Sequence, residues 1–152
     1  MKLIKGALLR RAVLASAASV SAAVLLTPSA AFAADDSFTV KTTDGCGTAN
    51  FVDYGPGAAG GGNNDDYVVI NDFCADGHGV QARVWMNGLY WGSGYNGNGL
   101  SGAAVIWDPF RTWGPNNVNA GDGIQLQVCL VDGPNDATGS KCRQIDRVSV
   151  DG

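Results

Sequence analysis

The position of four cysteines constrains this chain more than any other feature. Cys46, Cys74, Cys129 and Cys142 all follow a segment in which Lys2, Lys5, Arg10 and Arg11 precede an Ala-rich apolar stretch over residues 12–26. Ala31-Phe32-Ala33 then supplies the small residues of a cleavage position, so residues 1–33 read as a cleaved export signal and residues 34–152 as a single folded domain. An even number of cysteines in a small secreted, extracellular domain reads as two disulfides rather than a metal site or a redox pair. Arg10-Arg11 leaves twin-arginine export as an alternative to general secretion. General secretion is preferred, because disulfides form most simply after unfolded transport.

Without residues 1–33 the 152-residue chain keeps 119 residues, the length of one domain with a modest core. The leader holds four of the ten basic residues, leaving six against fourteen acidic ones and a net charge of −8. That charge disfavours nucleic acid and anionic membrane surfaces, both of which select basic patches. No stretch after the leader approaches the roughly 20 apolar residues of a membrane span, so no membrane association is expected after cleavage. The domain is expected to be a monomer. Every acidic residue is Asp and 21 of the 22 glycines follow the leader, a composition that favours turns and strand ends over helix interiors.

Alternation with period two recurs along the domain, and the helical period of 3.6 does not. Strands are expected over residues 37–42, 48–54 and 66–74. The third has Val68 and Ile70 on one face and Tyr67, Val69 and Phe73 on the other, which places it centrally in a sheet. Asn87-Gly88 accepts the positive φ angles of a two-residue hairpin turn. The register then sets Met86 opposite Leu89, Trp85 opposite Tyr90 and Val84 opposite Trp91. One face, Ala82, Val84, Met86, Leu89 and Trp91, is expected to be core, and the other carries Gln81, Arg83, Trp85 and Tyr90. A short strand at 103–107 ends at Asp108-Pro109, and an irregular stretch through Trp113 and Asn117 follows until Gly121-Asp122-Gly123. The run 124–130 turns Ile124, Leu126, Val128 and Leu130 inward and Gln125, Gln127 and Cys129 outward. The phase of Ile145 disagrees with that of Val148 and Val150, so a bulge is expected in the final strand. Six to eight such strands predict an all-β fold, an antiparallel β-sandwich of immunoglobulin-like or related Greek-key type.

Strand direction ranks the three disulfide connectivities. Antiparallel strands at 48–54 and 66–74 bring Cys46 and Cys74 to one rim, and Cys129 and Cys142 flank the 132–141 loop, which favours Cys46–Cys74 with Cys129–Cys142. The alternative is an inter-sheet Cys74–Cys129 bridge packed on Trp85. The outward phase of Cys129 speaks against it.

The leading candidate site is the hairpin's outer face. Arg83, Trp85 and Tyr90, approached by Tyr95 and Asn96 from the following loop, combine flat apolar surface with directional donors, as a sugar ring or a protein partner requires. The competing reading has the 92–102 loop folding over this pair as a small satellite core. Asp65 and Asp66, beside Asn63-Asn64, and Asp132 and Asp136 could supply oxygen ligands to calcium if two acidic loops met at one end of the sandwich, but their spacing matches no calcium loop and solvated turns are the better reading. No other metal and no cofactor is expected: His78 is the only histidine, and it stands in a turn-like Asp76-Gly77-His78-Gly79.

The runs Tyr67-Val68-Val69-Ile70-Asn71-Asp72-Phe73-Cys74, Val105-Ile106-Trp107-Asp108-Pro109-Phe110 and Val128-Cys129-Leu130-Val131-Asp132-Gly133 resemble small secreted proteins of filamentous actinobacteria. The resemblance implies export and a β fold, and it carries no functional residue across. The functional expectation is a secreted, non-catalytic binding module for an extracellular glycan or protein. A peptidase inhibitor presenting the 132–141 or 55–64 loop is the main alternative, and a small extracellular hydrolase is a further one.

Overall fold

The computed structural model describes residues 35–54, 65–111 and 117–150. The expected export signal, the 55–64 loop with Asn63 and Asn64, and Trp113 lie outside the described residues. Eight strands are formed: β1 (Phe38–Lys41), β2 (Gly47–Asp53), β3 (Asp66–Asp72), β4 (Gly79–Met86), β5 (Leu89–Asn96), β6 (Val105–Trp107), β7 (Gly123–Val131) and β8 (Ser140–Val148). They make two antiparallel four-stranded sheets, ordered β1-β2-β3-β6 and β5-β4-β7-β8, with no helix among the described residues. β3 is a central strand, flanked by β2 and β6; Val68 and Ile70 face the core, while Tyr67 and Val69 on its other face are half-buried.

Alternation explains which side of each sheet is buried. Val40, Ala49, Phe51, Val68 and Ile70 from the first sheet meet Val80, Ala82, Val84, Ile124, Leu126 and Val128 from the second in one core. Gly94 permits a close approach between the sheets. A Cβ there would stand 2.7 Å from both Ile70 Cδ1 and the Trp107 ring. Phe110 and Val118, from the stretch read as irregular, are also fully buried core residues, and Phe110 packs edge-on to Phe51 at 5.8 Å. They lack a periodic signal because each enters the core from a loop.

Both disulfides pair neighbouring strands. Gly47 lies opposite Asp72, which brings Cys46 and Cys74 to one rim with a Cα–Cα distance of 5.1 Å. Cys129 and Cys142 join β7 to β8 at a Cα–Cα distance of 4.2 Å. With all four cysteines so committed, no bridge crosses the core.

Three expectations need correction. Leu89 is 69% exposed rather than core, because it stands at the hairpin tip beyond the opposite sheet's cover. Val84 pairs with Gly92, not Trp91: a bulge opposite Val84 and Trp85 lets Trp91 swing onto the core and stack 5.8 Å from Phe110. The bulge expected near Ile145 lies instead at Lys141-Cys142, two residues opposite the single Cys129, while pairing is regular from Leu126–Ile145 to Gly123–Val148. Ile145 turns inward, and Val148 faces outward at 62% exposure.

Candidate functional site

The outer face of the second sheet is organised by its register. One row across the strands reads Tyr90, Trp85, Gln125, Asp146, and the next reads Ser93, Arg83, Gln127, Gln144. Asn87 and Gly88, at φ +53° and +78°, make the tight turn that brings β5 back beside β4. Trp85 and Tyr90 then stand as a tilted pair, ring centroids 5.3 Å apart and planes at 51°. Tyr90 is 56% exposed and Trp85 half-buried.

A second wall faces this pair. Cys129 points to the outer face, and its bridge to Cys142 closes the base of the 132–139 loop, which folds down onto the sheet. Gly139, at φ +51°, makes the closure possible, since a Cβ there would lie 2.9 Å from Cys129 Cβ. Two side chains then hold the loop by its backbone: Gln81 Nε2 donates to Pro134 O at 3.1 Å, and Arg83 Nη2 to Asp136 O at 3.2 Å. Arg83 is itself oriented by Nε donating to Gln81 Oε1 at 2.8 Å and Nη1 to Gln127 Oε1 at 3.4 Å. With five N–H donors, the guanidinium can make these bonds and still present one to a ligand.

Within the loop, Asp136 Oδ1 accepts from Thr138 Oγ1 at 2.6 Å and Thr138 N at 2.8 Å, and Oδ2 accepts from Asp132 N at 3.1 Å. The Thr138 hydroxyl first, and then these amides, lower its pKa to about 2, so the carboxylate is ionised at any ordinary pH. Between the loop and the aromatic pair lies a cleft of about 430 Å³, with Gln81, Arg83 and Ser93 between Trp85-Tyr90 on one side and residues 134–137 on the other. Its volume is within the roughly 300–1,000 Å³ of ligand sites.

Of the five residues expected at the site, the cleft gathers Arg83, Trp85 and Tyr90. Tyr95 shares their face but lies at the far end, opposite Gln81, its ring occupying the space left by Gly79 and Gly97. Asn96 is on the other face, 1% exposed, and donates from Nδ2 to Ile70 O at 2.8 Å and Ala103 O at 3.2 Å. It ties the sheets together and is not a site residue; the hairpin continues through 89–96 as strand, so alternation sends Asn96 inward. The segment after β5 does not cover the aromatic pair either, since Gly99 N donates to Asp72 Oδ2 at 3.2 Å, toward the first sheet. In the sequence the hairpin face and the disulfide-closed loop are separate candidates. They are opposite walls of one cleft.

The two Asp groups considered for calcium are far apart. Asp66 opens β3 and is fully buried with Oδ2 accepting from Val118 N, whereas Asp132 lies beyond the other end of the sheets, 3.4 Å from His78 Nε2. Seven residues of β3 put roughly 20 Å between those ends. Asp65 stays with Asp66, and Asp136 is taken up within its own loop, so the four form no single site. His78 bridges Asp76, at 3.5 Å from Nδ1, and Asp132, tying the β3–β4 connection to the loop base. Cys46, Cys74 and Asp76 approach metal-ligand spacing, but both sulfurs are consumed by their disulfide. Among the described residues no helix is long and apolar enough to cross a membrane.

No protein-family model, no curated protein and no solved structure matches the chain.

Proposed function

We propose that this protein is a secreted, non-catalytic binding module whose cleft takes a neutral carbohydrate. The observation that carries the reading is the tilted Trp85–Tyr90 pair facing a polar wall across a ligand-sized cleft. A pyranose ring offers apolar C–H faces and an equatorial rim of hydroxyls, and it needs an aromatic surface together with amide, guanidinium and carbonyl groups around it. Arg83 and the ionised Asp136 belong to the same cleft, a balance that suits an uncharged ligand better than an anionic or cationic one. Two disulfides in a small β protein fit an extracellular location. Asp136 also bears on catalysis, because a glycosidase acid needs a raised pKa and this carboxyl is lowered.

Pull-down on insoluble polysaccharides, followed by calorimetry with soluble fragments, tests the reading. The parent is expected to bind at least one neutral glycan, and Trp85→Ala/Tyr90→Ala to lose that binding while keeping its melting temperature within a few degrees. Equal binding by the double variant would remove the aromatic pair from the site.

A peptidase-inhibitor reading draws on the rigidity of the loop that Cys129–Cys142 closes. Against it, Gln81 and Arg83 pull that loop down onto the sheet by the carbonyls of Pro134 and Asp136, so it does not project as an inhibitory loop would. Titration against serine and cysteine proteases separates the two readings.

A further inference from the structure

The cleft beside Tyr90 has a neighbour on the same outer face. Beyond Trp85, toward the hairpin turn, a second hollow of about 390 Å³ lies between the Asn87-Gly88 turn and Val148, with Gly123 and Gln125 of β7 and Asp146 of β8 along it. The register explains their relation: Trp85 pairs with Gln125, and Gln125 with Asp146, so the row that starts at Tyr90 in the first cleft ends at Asp146 in the second. Trp85 lines the first hollow and adjoins, through its pairing with Gln125, the edge of the second. Four strands at about 4.8 Å spacing make this row roughly 14 Å long.

The second hollow is held as firmly as the first. Asn87 Oδ1 accepts from Gly123 N at 2.9 Å, and Asn87 Nδ2 donates to Asp122 Oδ1 at 2.8 Å. Asp122 Oδ2 accepts in turn from Asn119 N at 2.9 Å. The Asn87 amide, and then the Asn119 backbone, hold the Asp122 carboxyl below its ordinary pKa of 3.8, keeping it an acceptor. Asp146 is oriented by Gln144 Nε2, which donates to its Oδ1 at 2.9 Å. Gly123 leaves the floor low: a Cβ there would first meet Asn87 Oδ1, at 3.7 Å. The exposed Val148 supplies an apolar edge and Asp146 a carboxylate on the same face.

We infer that the two hollows are subsites of one extended site, and that the ligand is a linear chain of several neutral sugars running across the strands from Tyr90 past Trp85 to Asp146. The inference rests on the carbohydrate reading of the first cleft and deepens it from sugar ring to chain. Trp85 is the platform of the first hollow, and the amides of Gln125 and Asn87 with the carboxylate of Asp146 take hydroxyls of the units beyond it. A single ring fills only one hollow; a longer chain engages both, and the second contact is then intramolecular.

Calorimetry with cello-, xylo-, manno- and chito-oligosaccharides of two and six units tests this, using the parent, Trp85→Ala and Gln125→Ala/Asp146→Ala. For the series that binds, the hexasaccharide is expected to bind about tenfold or more tighter than the disaccharide. Gln125→Ala/Asp146→Ala should bind the disaccharide as the parent does and lose that gain, whereas Trp85→Ala should lose both. Amide shifts at Gly123 and Val148 on adding hexasaccharide, but not disaccharide, give a readout that needs no variant. Equal affinity for both lengths, or an unchanged length dependence in Gln125→Ala/Asp146→Ala, overturns the extended site while leaving the first cleft's reading in place. No saccharide bound by the parent overturns both.

Discussion

Three carboxylates set local geometry by accepting hydrogen bonds, two of them only from residues within four positions and Asp122 also from Asn87 across the sheet, and each is thereby made a stronger acid. Asp44 accepts from Thr42 Oγ1 at 2.7 Å and Cys46 N at 3.1 Å; Asp122 holds Asn87 and Asn119; Asp136 holds Thr138 and Asp132. Only Asp136 shapes the proposed cleft. Its folded-state pKa of about 2 lies below the ordinary 3.8, so its ionisation favours the closed loop, fully above about pH 4 and progressively less as pH falls through 2. Glycan affinity should therefore hold down to about pH 4 and fall below it, with Asp136→Ala weaker at every pH; a parent profile that stays flat to pH 2 would show that this lock does not shape the site. Gly139 is a second control point. Gly139→Ala forces a Cβ against Cys129 at a positive φ, and a loss of about 1–3 kcal/mol in chemical denaturation is expected.

At the scale of the element, the β4–β5 hairpin does two jobs through one irregularity. The Asn87-Gly88 turn keeps Trp85 opposite Tyr90 on the outer face, and the bulge after them turns Trp91 inward onto Phe110. Asn87→Ala removes bonds to both Gly123 and Asp122 and replaces a residue suited to positive φ, so a loss of about 1–2 kcal/mol is expected in thermal or urea unfolding. Gly94→Val should be worse than Asn87→Ala, because its side chain must displace Ile70 and Trp107 where the two sheets meet. If Gly94→Val proved as stable as the parent, the packing between the sheets there would be looser than these distances require.

For the whole molecule, the two disulfides have different consequences. Cys46–Cys74 spans 28 residues and Cys129–Cys142 spans 13, so loop-closure entropy assigns about 3.5 and about 3 kcal/mol respectively. The first staples a rim of the other sheet, while the second closes the wall of the cleft. Cys46→Ala/Cys74→Ala should lower the melting temperature and leave glycan affinity intact in the folded fraction. Cys129→Ala/Cys142→Ala should lower both; equal affinity in the two double variants would show that the loop holds its place without its bridge.

Legible in the sequence were the all-β class with six to eight strands, the hairpin turn, the central place of β3 and, as the favoured of three connectivities, the pairing of the four cysteines; the extension of β5 to Asn96 was not. The legible features follow from period-two alternation, turn chemistry and strand direction, which are local properties or nearly so. Tertiary structure decided what depends on contacts between distant segments. Phe110 and Val118 reach the core from loops, where no periodicity marks them. Leu89 is apolar, yet it stands beyond the reach of the opposite sheet. Asn96 is polar and alternates inward, where two carbonyls from other segments satisfy its amide. The cleft is the clearest case: Arg83, Trp85 and Tyr90 were legible as a face, and the 132–141 loop as a closed segment, but some 50 residues of chain separate them. Only the β4–β7 pairing and the hydrogen bonds from Gln81 and Arg83 to carbonyls 53 residues away bring them together, because backbone acceptors leave no trace in side-chain sequence.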